Sequence, residues 1–270
     1  MRVVADTERS PYVYFLIVAL VFAPFPVVGA FVHIPGLPKN APVTDFVAAL
    51  IPAAVALALT YRDRGAGAAL ALLRRVVDYR RITARIWYLP ILLLSPLIYL
   101  ATYGLIELTG VEFVAQPRLS VTTMLVFALI FFVAAAGEEL GWSGYAIDPL
   151  QRRWGALGGA LVLGVIWFAF HIPSMLQSGQ DATLVGLGAF ATVGLRVLWV
   201  WIFDNTGGSV FAIVVAHTVA NVCASAVPSV PTNAAAPVIV VAAVLVAWLW
   251  GPKTLAHFKY PVGARSSGEE

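Results

Sequence analysis

Charge is what this sequence has least of. Only 11% of its 270 residues are Asp, Glu, Lys or Arg, against about a quarter in an ordinary soluble domain. A water-soluble fold of this size must clothe its surface in polar groups, and this chain has too few, so a cytosolic enzyme and a disordered chain are excluded. Cysteine is scarcer still. Cys223 stands alone, which excludes an internal disulfide scaffold and a Cys-type metal cluster, and it reads as a small buried apolar residue. Lysine is also rare, three against 14 Arg, and with abundant Ala and Val this bias points to a GC-rich bacterial genome. Basic residues are sparse outside one segment, so the pI of about 9.1 does not make nucleic acid a partner.

What is abundant is apolar surface. The apolar and aromatic share is 60%, and the mean hydropathy is +0.87. The fold class this implies is all-α, a polytopic helical membrane bundle whose first partner is the lipid bilayer. No repeat and no soluble stretch interrupts it, so residues 1–270 read as a single membrane domain. The first apolar stretch follows a segment that mixes Arg2 and Arg9 with Asp6 and Glu8, without a small-x-small cleavage site, and reads as a retained span rather than a signal peptide.

A span needs about 20 mostly apolar residues. About eight candidates qualify, at 12–32, 43–60, 87–106, 121–146, 156–170, 184–203, 210–227 and 234–250. Pro24 and Pro26 should kink or shorten the first. Breakers separate the others at Pro35 and Pro38, Thr109-Gly110, Pro149, Pro173, the Asn205–Gly208 run, and Pro228 to Pro231. The basic segment at 61–86 holds Arg62, Arg64, Arg74, Arg75, Arg80, Arg81 and Arg85. The positive-inside rule makes it cytoplasmic. Eight spans then place both termini and 14 of the 17 Lys and Arg on that side of the plasma membrane, Lys39 and Arg118 outside, and Arg196 alone within a span. Within the segment, GAGAALALLRRVV reads either as an interfacial amphipathic helix on anionic lipid or as a connector that only enforces topology.

Ionisable groups inside a span cost about 2.5–3.5 kcal/mol on insertion scales, which makes them candidates for function. Glu138 and Glu139 are adjacent, so on a helix they point about 100° apart. One faces a cavity while the other is held by a neighbouring helix, unless both simply lie near the cytoplasmic end of the span in headgroup water. His171 sits one turn after Trp167, with Pro173 expected to stop the helix. His217 and Asn221, four apart, share a helix face; they suit acid–base and oxyanion roles or simple interhelical hydrogen bonding. Arg196 needs a carboxylate, and pairing with Glu139 is the simplest neutralisation. Such a set could hold a water, or a metal and its water, although the spacing does not match the short HExxH zinc pattern.

The order of these motifs resembles the CPBP family, the type II CAAX prenyl endopeptidases and their bacterial relatives linked to bacteriocin processing and self-immunity. The resemblance rests on Glu138-Glu139, Trp167 to His171 and His217 to Asn221, with the flanks GWSGYAIDPLQRRWG and TGGSVFAIVVAH, and covers about residues 120–225. It implies an eight-helix bundle with a conical interior site and glutamate-dependent peptide hydrolysis near the cytoplasmic face. Glu138 would activate water with help from His171, and His217 and Asn221 would stabilise the oxyanion. The family is commonly labelled a metalloprotease, so the resemblance also admits Zn2+, with His171, His217 and Glu138 as ligands. Glu139, Ser143, Arg196 and Trp167 would support the site.

One position departs from the family pattern EExxxR: its Arg is Ser143 here. Arg196 is expected to supply the missing charge from a facing span; the alternative is a catalytically dead relative. The substrate implied is a bacterial peptide or membrane-protein tail rather than a prenylated CAAX protein. The rival readings are a non-enzymatic immunity or scaffold protein and, without inverted repeats to favour it, a transporter.

Overall fold

The structure is a computed structural model and describes residues 11–32, 45–109, 120–226 and 232–256. Every regular element among them is helical: α1 (Pro11–Phe22), α2 (Pro24–Phe31), α3 (Asp45–Ala48), α4 (Ile51–Leu73), α5 (Tyr88–Leu108), α6 (Val121–Gly141), α7 (Ile147–Gln177), α8 (Ala182–Asn205), α9 (Val210–Ala226) and α10 (Ala236–Trp250), with short 3-10 turns between some of them. Five stretches are long and apolar enough to cross a bilayer: Pro11–Phe31, Asp45–Val77, Arg85–Leu108, Val121–Gln177 and Ala182–Asn205. Val210–Ala226 and Ala236–Trp250 are shorter apolar helices. Large apolar side chains such as Leu16, Leu20, Leu97, Leu100 and Leu129 stand exposed on the outer faces, as a bilayer requires. Inside, α6 packs on α4 and α9, α9 on α5, α7 on α8, and α8 on α10.

Two breakers act differently from expectation. Pro149 lies within the first turn of α7, where a missing N–H costs nothing. The turn between the fourth and fifth spans falls instead at Gly155, whose φ of 71° breaks the α7 stretch in two. The second half begins under the carbonyls of Lys253 and Pro252, which accept from the amides of Ala156 and Leu157 at 2.9 and 3.0 Å. Pro173 does not stop α7, which runs on to Gln177 and ends at Gly179 with φ of 79°. There the Gln177 amide donates to the Pro26 carbonyl at 2.7 Å. Pro24 does divide the first span, between α1 and α2. The calls at Arg2, Arg9, Lys39, Arg118, Lys259, Pro35, Pro38, Gly110 and Pro228 to Pro231 lie outside the described residues.

The basic segment forms a short helix and then packs against the bundle. Gly65, at φ of 79°, breaks α4 just after Arg62-Asp63-Arg64. A short helix with exposed Leu70 and Leu73 follows. The chain then docks on the ends of the bundle. Arg75 donates to the Gly144 and Gly208 carbonyls at 2.7 and 2.8 Å, and Arg81 to the Gly207 carbonyl at 2.8 Å. The Asp78 carboxylate accepts from the Ser209 hydroxyl and the Phe211 amide at 2.8 and 3.1 Å. It thus caps α9, where an anion satisfies orphan amides and the helix dipole.

Gly137 and Gly141 bracket the Glu pair as a GxxxG stripe, which lets helix backbones approach closely. A Cβ on Gly137 would sit 2.7 Å from the Ala49 carbonyl oxygen, and one on Gly141 would meet the Tyr14 hydroxyl and lie 2.5 Å from the Pro52 carbonyl carbon. Gly141→Ala is therefore expected to destabilise by about 1–3 kcal/mol, the usual cost of overpacking. Gly67→Ala, with nothing within 4 Å of the new Cβ, should be neutral or stabilising. Thermal melts of both variants in detergent check this; equal melting temperatures would overturn it.

Candidate active site

The four polar spans converge because α6, α7, α8 and α9 meet around Trp167, which is 5% exposed. The indole Nε1 donates to Glu138 Oε2 at 2.6 Å. Its ring lies 4.8 Å from the His171 ring, 5.5 Å from the His217 ring and 5.2 Å from Trp199, centre to centre. Glu138, His171, His217 and Asn221 all line one cavity of about 290 Å³, together with Ser95, Tyr99, Thr192 and Trp199. Glu138 is half-buried, whereas its neighbour Glu139 is fully buried. The 100° between adjacent helical residues has divided the pair as anticipated, one toward the cavity and one into the protein.

Glu139 is held on every side. Arg196 donates to Oε2 from Nη1 at 2.8 Å and to Oε1 from Nη2 at 3.2 Å. The Ser143 hydroxyl donates to Oε2 at 2.5 Å. Ser143 lies four residues on, one turn along the same face, within a five-residue π-helical stretch, Trp142–Ala146, that follows α6; such widened turns are common at functional sites. Arg196 is itself fully buried, its guanidinium 4.4 Å from the Trp167 ring centre and 5.1 Å from that of Trp199. A delocalised, weakly hydrated cation between two indole faces suits a site away from water.

The tautomers of both histidines follow from their partners. His217 Nδ1 lies 3.1 Å from Glu139 Oε1, and an ionised carboxylate only accepts, so Nδ1 carries the proton. His171 Nδ1 lies 2.9 Å from the Trp167 carbonyl oxygen, which also only accepts. Each ring therefore keeps Nε2 for the cavity that both line. Trp199, 4.4 Å from the His217 ring, fixes that ring's plane.

Two features went unread in the sequence. Trp199 lies one turn beyond Arg196 on α8, and only its neighbours in space give it meaning. Asp45 is legible as an ionisable residue inside the 43–60 span. It lines a smaller recess of about 60 Å³ with Glu138, His171 and Ser174, on the side of Val18 and Phe22. The zinc ligand set suggested by the resemblance does not assemble. Among the described residues, no three His, Cys, Asp or Glu side chains gather at metal-ligand spacing.

Comparison with known proteins falls on this same region. Residues 120–223 match the family model for type II CAAX prenyl endopeptidase, Rce1-like. CAAX prenyl protease 2 of Methanococcus maripaludis is 24% identical over 108 residues, covering 37% of this chain and 40% of that protein. The chain thus aligns with less than half the length of that relative. The matched segment holds Glu138, Glu139, Ser143, Trp167, His171, Arg196, Trp199, His217 and Asn221, and over that segment this chain is similar to the Rce1-like type II CAAX prenyl endopeptidases.

Proposed function

We propose that this protein is an intramembrane endopeptidase that hydrolyses a peptide bond by glutamate-activated water. The observation that carries the reading is the convergence of Glu138, His171, His217 and Asn221 on one cavity, with a buried ion pair fixing the His217 tautomer. A water between Glu138 and His171 loses a proton to Glu138 as its oxygen bonds to the scissile carbonyl carbon. The carbonyl oxygen becomes an oxyanion, which takes hydrogen bonds from the Asn221 amide and from His217 Nε2 when that nitrogen is protonated. Collapse breaks the C–N bond, and Glu138 returns the proton to the leaving amine. Glu139, Arg196 and Ser143 are positioning residues in this scheme. They never meet the substrate, and they act by holding the His217 ring.

The test is cleavage of a library of fluorescence-quenched peptides by the reconstituted protein and by Asn221→Ala. Loss of one oxyanion donor is worth about 10²–10³-fold in kcat, with KM little changed. Equal kcat for the two proteins, or no cleavage by the parent, would overturn the assignment.

A further inference from the structure

Two spaces meet at the reacting groups. Glu138, Trp167, His171 and Ser174 line both the cavity of about 290 Å³ and the recess of about 60 Å³, and so form the boundary between them. Beyond that boundary the two differ. The cavity continues to α5, α8 and α9 and holds the oxyanion donors His217 and Asn221. The recess lies against α1, α6 and the turn from α3 into α4, and holds Asp45 and Trp142. Much of its remaining wall is apolar, with Val18, Phe22, Ile51 and Phe170. Asp45 faces Ser174 and His171 across it. An acid within a span is costly, and Asp45 has no task in the hydrolytic steps above.

The recess has the size and the partners of a water site rather than a peptide site. A water takes about 30 Å³, so about two fit, whereas a peptide segment does not. A buried water needs several polar partners, and a wholly apolar cavity stays dry. Glu138 and His171 serve the water that attacks. A second water behind it finds Asp45, Ser174 and Trp142. The Ser174 hydroxyl donates to the His171 carbonyl at 3.0 Å, which leaves its oxygen as an acceptor. The Trp142 indole is 1% exposed, and its Nε1–H has no hydrogen-bond partner among the described residues. A water oxygen satisfies such a donor, which is costly to leave bare. The Asp45 carboxylate accepts from the water in turn. We infer that the recess is a water chamber kept apart from the substrate, and that Asp45 is the positioning residue that holds water in it behind Glu138 and His171. The peptide then lies on the cavity side with its carbonyl oxygen toward His217 and Asn221, and water reaches the carbonyl carbon from the opposite side. The inference deepens the endopeptidase reading and rests on it for the part Asp45 plays in catalysis, but not for the hydration of the recess.

Asp45→Leu tests both parts. Leu keeps the branched skeleton of Asp but has no hydrogen-bonding group, and an apolar side chain there removes a desolvation cost. The variant is therefore expected to melt no lower than the parent. Hydration is read without catalysis, on protein in nanodiscs with isotope-labelled indole nitrogens, using Trp142→Phe to assign the signal. The Trp142 N–H is expected to exchange with water at least about tenfold faster in the parent than in Asp45→Leu. Equal exchange in the two, or an indole protected from water in the parent, overturns the chamber. Kinetics are read on the quenched peptides. Asp45→Leu is expected to lower kcat at least about tenfold with KM within about twofold, and Asp45→Asn, which still accepts from water, to keep most of the parent kcat. Unchanged kcat in Asp45→Leu overturns the role of Asp45, and a raised KM at unchanged kcat makes the recess a substrate subsite instead. Cleavage that survives Glu138→Gln, or a parent that cleaves nothing, sinks the endopeptidase reading, and the exchange measurement then decides the chamber alone.

Discussion

Replacing Glu138 with Gln is expected to lower cleavage by about 10²–10⁴-fold, the range that a positioned general base contributes, while the protein still folds. The two side chains have nearly the same shape, and a Gln carbonyl oxygen can still accept from the Trp167 indole that now binds Oε2. What disappears is the capacity to take a proton from water. Cleavage rate and melting temperature, measured on the same preparation, separate chemistry from folding. Full activity at an unchanged melting temperature would remove Glu138 from the mechanism. The same substitution sorts the rivals. An immunity or scaffold protein keeps its biological effect as Glu138→Gln, whereas a peptidase loses it at unchanged expression. A transporter would show uptake in proteoliposomes that survives loss of both His171 and His217.

The largest effect on stability is expected at Arg196. Arg196→Ala leaves Glu139 fully buried without its main counter-charge, and breaking a buried pair from one side costs about 3–5 kcal/mol. The empty space between Trp167 and Trp199 adds a packing loss. Catalysis should suffer as well, because Glu139 then no longer fixes the His217 ring. The decisive experiment adds Ser143→Arg to Arg196→Ala. Ser143 already bonds to Glu139 from one turn away on the same chain segment, so an Arg there can restore the ion pair from the other side. Partial recovery of melting temperature and activity is the expected result. If the double variant is no better than Arg196→Ala, the charge at Arg196 is not a substitute for the family Arg.

How much of this could be read from the sequence depends on how local the cause is. The division of labour between Glu138 and Glu139 follows from the 100° step of the helix. The partnership of Arg196 with Glu139 follows from scarcity, since each is an expensive charge with few candidates to neutralise it. The all-helical bundle follows from hydropathy. Breakers were harder. A proline announces itself in any sequence, but Pro149 sits in a first turn, where a helix tolerates it, and α7 runs on through Pro173, whereas Gly155 breaks α7 at the point where the Lys253 and Pro252 carbonyls meet the chain. That cause lies far along the sequence and leaves no local trace. The docking of Arg75, Asp78 and Arg81 is hidden for the same reason, as their partners are backbone carbonyls, amides and a hydroxyl of other segments. Trp199 carries no motif, and its place beside His217 belongs to the crossing of α8 and α9. Asp45, by contrast, is legible, being an acid within a span.

The caps on α9 and on the second half of α7 bear on the order in which the protein matures during synthesis. The anion that seats α9 is Asp78, 132 residues before Val210, so it is already at the membrane surface when that helix emerges. The carbonyls that seat the second half of α7 come from Pro252 and Lys253, which the ribosome makes only after every apolar helix described here. Through most of translation, the helix that carries Trp167 and His171 lacks the carbonyl partners of its first amides. The contact that seats this half of α7 thus forms only once the chain beyond α10 has been made, whereas the one that seats α9 has its anion in place from early in synthesis.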